Sequence, residues 1–202
     1  SGKQGYAVAA ELARRGAAVT LITSSPLVPP PSADVVRVES AAEMEQAVLA
    51  AAVPADVVVM AAAVADYRPA VVADRKLKKT GAPMSLELVP TPDILAELCA
   101  RRRRGQVIVG FAAETASGAE LVALGQAKLA AKGTDLIVAN EVGTAGAGFG
   151  EDASRAIIVS GQDALDLGMA AKGAVAARLV DAITDLLVQA ASRQTPQEGT
   201  DV

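Results

Sequence analysis

Val107-Ile108-Val109-Gly110-Phe111-Ala112-Ala113-Glu114-Thr115 is the stretch whose reading decides how this chain folds. It opens with three β-branched apolar residues and no polar alternation, the pattern of a strand covered on both faces. Working outward, similar runs stand at Val19-Thr20-Leu21-Ile22, Val35 to Val38, Val57-Val58-Val59-Met60, Leu136-Ile137-Val138 and, late, Ile157-Ile158-Val159. Helical patterns lie between them: Tyr6 to Arg15 ending at Gly16, Ala41 to Ala52, Pro92 to Arg104 ending at Gly105, Gly118 to Lys132 ending at Gly133, and Ala170 to Ala191. Ser85 to Val89 reads as a further strand, antiparallel and protruding after the turn Thr80-Gly81-Ala82-Pro83.

Strand alternating with helix predicts an α/β domain of the Rossmann-like, doubly wound kind, with a mostly parallel sheet, helices on both faces, and ligands beyond the carboxyl ends of the strands. The first helix begins almost at once, after Ser1-Gly2-Lys3-Gln4-Gly5, so this rhythm calls for an additional strand upstream of it. Residues 1–191 read as one domain, and 192–202, polar and without an apolar period, as a loose tail.

Composition narrows the chemistry. The apolar fraction is 51% but only 2% is aromatic, so the core is expected to be closely spaced and built from small side chains. Nineteen basic against twenty-three acidic residues give a net charge of -4, the wrong sign for neutralising many phosphates of a nucleic acid, which is not expected as a partner. The single cysteine, Cys99, rules out an intramolecular disulfide and thiolate clusters, and fits a reducing, cytoplasmic compartment. No apolar stretch is long enough for a membrane span. The chain has no histidine, which excludes Ser-His-Asp and Cys-His nucleophiles, histidine-ligated zinc and a histidine base.

Several loops could carry chemistry. Gly2 and Gly5 at a helix start let backbone amides approach a phosphate, or merely allow a tight turn. A dinucleotide site would want a ribose-binding acid after the second strand, where this chain has Thr23-Ser24-Ser25-Pro26. Ala61-Ala62-Ala63 at the end of a strand permits close ligand approach, with Asp66 and Arg68 on the same rim. In Arg75-Lys76-Leu77-Lys78-Lys79, an extended backbone would turn Lys76 and Lys78 to one side, above a polyphosphate or into solvent. Arg101 to Arg104 are placed in a helix's last turn, complementing its dipole. Thr91-Pro92-Asp93-Ile94 looks like a helix start. Phe111 is either core or a base-stacking ring, while Lys128 and Lys132 share one helical face. Cys99 reads as packing.

Taken together, seven segments resemble, in order, the bacterial phosphopantothenoylcysteine synthetase family, the CTP-using phosphopantothenate-cysteine ligases of coenzyme A biosynthesis. They are Ser1 to Gly5, Ala62 to Arg68, Lys76 to Lys79, Pro92 to Ile94, Gly110 to Thr115, Lys128 to Lys132, and Asp135 to Asn140. The resemblance implies ligation of 4'-phosphopantothenate to L-cysteine through an acyl-cytidylate, with CTP consumed, pyrophosphate and CMP released, and Mg²⁺ accompanying the nucleotide. It implies that Ala61, Ala62, Ala63, Asp66, Lys76, Pro92, Asp93, Ile94, Leu95, Phe111, Lys128 and Lys132 surround CTP. Lys76 would be the catalytic cation on a flap, and Gly2, Lys3 and Asn140 would face the other substrates; no metal ligands are assigned. It further implies a homodimer, no FMN on this chain, and a flavin-dependent decarboxylase domain elsewhere in a full-length protein. Rival readings are a short-chain NAD(P)-dependent reductase and a noncatalytic nucleotide-binding domain. The reductase's Tyr-x-x-x-Lys pair is absent, since Ala10 follows Tyr6 and Val71 follows Tyr67 at that spacing.

Overall fold

The computed structural model describes residues 1–79, 81, 83–143, 152–161 and 163–193. Its central sheet has five strands in the order β3 (Val57–Met60), β6 (Val107–Glu114), β7 (Leu136–Glu141), β8 (Ala153–Val159) and β9 (Ala164–Ala171). The pairs β3/β6 and β6/β7 are parallel, and β7/β8 and β8/β9 antiparallel. A second, parallel pair joins β1 (Val19–Thr23) to β2 (Ala33–Arg37), and an antiparallel ribbon joins β4 (Tyr67–Pro69) to β5 (Leu88–Pro90). Five helices complete the domain: α1 (Lys3–Arg14), α2 (Ala41–Ala52), α3 (Ile94–Ala100), α4 (Gly118–Lys132) and α5 (Lys172–Ser192).

Strand alternation explains why helices cover both faces. Val107 and Val109 of β6, with Leu136 and Val138 of β7, share a core cluster with Val8 of α1 and Val175, Leu179 and Ile183 of α5. The intervening Ile108 turns the other way, to Met44 and Val48 of α2 and Ile94, Leu95 and Leu98 of α3, while Ile137 and Ala139 pack with Leu121 of α4. Successive residues of one run are therefore buried on opposite sides, which is why these strands show no polar alternation. Gly110 permits the close seat of α3 on β6: a Cβ there would lie 2.7 Å from Leu95 and 2.8 Å from Ile137.

The sequence expectations hold for the class of fold and need correction in detail. The mostly parallel sheet is mixed at its far side, because 164–171, whose later part read as helix, forms the edge strand β9. The last helix accordingly runs Lys172–Ser192, so Ser192 belongs to it and not to a tail, while 194–202 lie outside the described residues. The helix expected over 92–104 is only Ile94–Ala100, which leaves Arg101 as its C-cap and Arg102 to Arg104 beyond it. Arg102 and Arg103 fasten neighbouring elements instead of complementing a dipole. Arg102 donates to Asp135 at 3.0 Å and to the Gly133 carbonyl, and Arg103 donates to the Ala55 carbonyl at 2.7 Å. Asp135 in turn accepts from the Ile108 amide at 2.7 Å, pinning the starts of β6 and β7 together. The protruding strand is shorter than expected, Leu88–Pro90, but is antiparallel as anticipated.

Among the described residues no strand is hydrogen-bonded between β1 and β3, and both line one cleft of about 1820 Å³. The lining runs the full length of β1 and β3 and continues past their carboxyl ends to Ser24–Pro26 and Ala61–Val64.

Candidate functional site

One wall of the cleft is built from the ends of β3 and β6 and from the helices beside them. Ala61, Ala62 and Ala63 follow β3 and leave the rim without bulk, and Phe111 stands half-buried midway along β6, packed against the core shared with α1 and α5. Asp93 caps α3: its Oδ1 accepts from the Ala96 amide at 3.0 Å, an arrangement that ends a loop and starts a helix. Its other carboxylate oxygen, Oδ2, accepts from Nζ of Lys132, on the last turn of α4. Burial pushes the Asp93 carboxyl up, but the Lys132 hydrogen bond, the Ala96 amide and the charges of Lys132 and Lys128 together hold it below the usual carboxylate range. Lys128 lies one turn earlier on α4 and lines the same cleft.

The opposite side is the amino end of α1. Gly2 has φ 75°, in the left-handed region, and a Cβ there would sit 2.7 Å from Cβ of Ser25, so only glycine fits without displacement. Ser25 Oγ donates to the Ser1 carbonyl at 3.0 Å; Tyr6 donates to the Ser25 carbonyl at 3.1 Å, and Arg37 donates to the same carbonyl. Gly5 faces Ala61, with its Cβ position 3.6 Å from that of the alanine. Helix α1 therefore starts between the carboxyl ends of β1 and β3, and its first amides receive no side-chain cap. Such an end suits an anion.

The residues singled out from the sequence divide into three groups. Ala61, Ala62, Ala63, Asp66, Asp93, Ile94, Leu95, Phe111, Lys128, Lys132, Gly2 and Asn140 all line the one cleft. Lys3 lies apart, its Nζ 2.7 Å from Asp152 Oδ1, beside a smaller hollow of about 530 Å³ that also involves Tyr6, Leu27, Val28 and Lys172. Pro92 and Lys76 are outside the cleft lining, and Lys76 is exposed on the arm 71–79. Cys99 is half-buried; burial pushes its thiol up despite the nearby Arg102, which keeps it a packing residue.

Other contributors escaped the sequence reading. Thr91 donates through its amide to the Asp66 carbonyl at 2.9 Å and through its hydroxyl to the Ala65 carbonyl, tying the loop after β3 to the start of α3. Ser154 is 2% exposed and reaches 3.5 Å from Asn140 Oδ1. The Tyr6–Ser25–Arg37 set also belongs here. All are long-range contacts between ordinary polar residues, for which spacing along the chain carries no signal.

Among the described residues no group of three or more carboxylates or thiols could hold a metal. A divalent ion here would have to arrive with a ligand that supplies most of its oxygens. Among the described residues, no helix is long and apolar enough to cross a membrane.

A mostly parallel sheet flanked by helices, with small residues, an aromatic ring and two lysines lining one cleft, defines a Rossmann-like domain. The chain belongs to the DNA/pantothenate metabolism flavoprotein C-terminal domain family, whose model matches residues 1–187. It is 44% identical over 204 residues to the coenzyme A biosynthesis bifunctional protein CoaBC of Mycobacterium bovis, covering 95% of this chain and 48% of that protein. The chain thus spans about half the length of the curated relatives it matches. Among solved structures, the C-terminal domain of a CoaBC superposes with a TM-score of 0.77 at 34% identity, over 94% of this chain and 86% of that one. A Cab2 mutant in complex with phosphopantothenate-cysteine gives a TM-score of 0.75 over 95% of this chain and 79% of that one, at 14% identity, a likeness of fold alone.

Proposed function

We propose that this chain is a ligase domain that joins 4'-phosphopantothenate to L-cysteine in coenzyme A biosynthesis, with CTP as the activating nucleotide. The observation that carries the reading is convergence: the loop after β3, the start of α3, the end of β6 and one face of α4 meet on a single cleft. The family membership and the CoaBC relatives support the same reading.

In the first step a carboxylate oxygen of phosphopantothenate forms a bond to the α-phosphorus of CTP, and the bond to the bridging oxygen breaks as pyrophosphate leaves. In the second, the cysteine amine bonds to the acyl carbon of the resulting anhydride, CMP departs with the C–O bonding pair, and the amine's proton passes to solvent. Neither step asks for a histidine, because the leaving group comes from the nucleotide and the enzyme's part is to position reactants and stabilise charge. Ala61 to Ala63 leave room for the α-phosphate, Phe111 offers a face for the base, and residues 93–95 form its edge. Lys128 and Lys132 supply cationic charge on α4. Lys76, on its arm, closes over the phosphates and stabilises the charge that moves onto pyrophosphate. Mg²⁺ is taken as part of the nucleotide substrate, consistent with the lack of a carboxylate cage among the described residues.

The arm exposes Val71, Val72, Leu77, Met84, Leu86 and Leu88, an apolar set suited to a second copy of the chain. We take the protein to be a cytoplasmic homodimer whose full-length form also carries a flavin-dependent decarboxylase domain. Sedimentation should show a dimer at micromolar concentration; a monomer throughout that range removes the dimer.

Thermal-shift measurements with MgCTP, MgATP and NADPH, followed by turnover with phosphopantothenate and cysteine, test the activity. Stabilisation by MgCTP and CMP release that requires phosphopantothenate are expected. CTP binding without turnover would leave a noncatalytic nucleotide-binding domain, and stabilisation by NADPH alone would return the reductase.

A further inference from the structure

Asp93 is an odd residue to find in a cleft read as a polyphosphate site, because a carboxylate facing phosphates repels them. Its bonding resolves the difficulty. Oδ1 is committed to the Ala96 amide at 3.0 Å and Oδ2 to Lys132. The two residues are 39 positions apart, so the pair is a strut between the start of α3 and the last turn of α4. Lys132 is partly shielded, with a side-chain exposure of 29%, while the Asp93 side chain is about half exposed, at 47%. Lys128, on the same face of α4, acts on Asp93 through its charge.

We propose that Asp93 is a positioning residue: its carboxylate does not itself meet the nucleotide but fixes the ammonium of Lys132 at the cleft wall. The inference rests on the nucleotide reading above and deepens it. The two lysines then differ. Lys132 is pre-set by its strut, which limits the side-chain entropy lost on binding, whereas Lys128 must be ordered by the ligand. Because the strut starts at a helix cap, the position of Lys132 also reports the position of residues 93–95, which keeps base edge and phosphate contact in register.

The decisive variant is Asp93→Asn, because asparagine caps a helix about as well as aspartate yet cannot form the ion pair. MgCTP affinity is expected to fall by about fivefold, while CMP affinity falls less, so the ratio of the two affinities drops; a role confined to holding α3 would lower both alike. In a Lys132→Met background the same change should alter MgCTP affinity by less than about twofold, and in a Lys128→Met background the full loss should return. Equal losses in both backgrounds, or an unchanged MgCTP affinity in Asp93→Asn, overturn the proposal. A measurement without nucleotide separates this from the functional reading: acylation by an amine reagent, mapped by mass spectrometry, should speed up at Lys132 relative to Lys128 in Asp93→Asn. If the unaltered chain binds no CTP, the nucleotide assignment falls, and labelling still decides whether Asp93 holds Lys132; an unchanged labelling ratio shows that it does not.

Discussion

The wall of the cleft and the arm beside it are built in contrasting ways. Behind the wall, Ile108 and Ile137 are completely buried between helix layers, and at its surface Asp93 is tied to Lys132 across the fold. The arm pairs only Tyr67 with Pro90, Arg68 with Val89 and Pro69 with Leu88, and residues 71–79 beyond it are exposed throughout. A ribbon of two short strands is marginal in water by itself, so its order depends on what it packs against. Under the proposed function the two regions take different tasks: the wall would recognise the nucleotide, and the arm, without a core of its own, would bring a cation onto it.

The largest effect that would sharpen this contrast is on stability. Ile108→Ala removes a side chain with no exposure that seats α3, and should cost about 2–5 kcal/mol in denaturant unfolding, against about 0.5 kcal/mol or less for Leu77→Ala on the arm. Comparable losses would mean the arm is packed in solution. Next comes Lys76→Ala, expected to slow pyrophosphate release about a hundredfold while leaving CTP affinity nearly intact. Unchanged release would remove Lys76 from the chemistry. On the wall the balance should reverse: Lys128→Met should raise the apparent CTP requirement by about tenfold with a smaller change in maximal rate. An unaltered requirement would reduce it to a surface lysine.

The smallest effect is a dependence on pH. The Asp93 carboxyl is held below its usual value in the folded state, so it favours folding above that usual value, near 3.8, and the contribution is lost as pH falls through the lower folded value. Unfolding followed from pH 6 downward should show a shallower acid loss in Asp93→Asn than in the unaltered chain. Parallel curves would place the carboxylate in an environment no different from solvent.

How much of this was legible beforehand varies by element. The runs at 57–60 and 107–109 announced themselves because burial on both faces leaves an uninterrupted apolar signature. The helices at 41–52 and 118–132 have the bounds their periodicity predicts. Residues 164–171 escaped because Ala164-Leu165-Asp166-Leu167-Gly168-Met169-Ala170-Ala171 is half helix-like in composition and lies at a sheet edge, where hydrogen bonds to β8 decide its form. Arg101 to Arg104 were misplaced for a related reason: a helix end depends on what its last residues can reach, and Arg102 reaches Asp135. In the site, the residue types were visible one loop at a time. That Asp93 meets Lys132, or that Tyr6 and Arg37 both hold Ser25, was not.

By itself, then, the amino-acid order determined the layered α/β class, the positions of its central strands and the exclusion of histidine chemistry, since these follow from burial pattern and composition within short windows. Only the tertiary structure decided which loops share the cleft, which lysine is tied to a carboxylate and which arginines fasten strands. Those contacts join residues tens of positions apart, and their geometry is set by how whole helices pack on a sheet, a constraint that no local window contains.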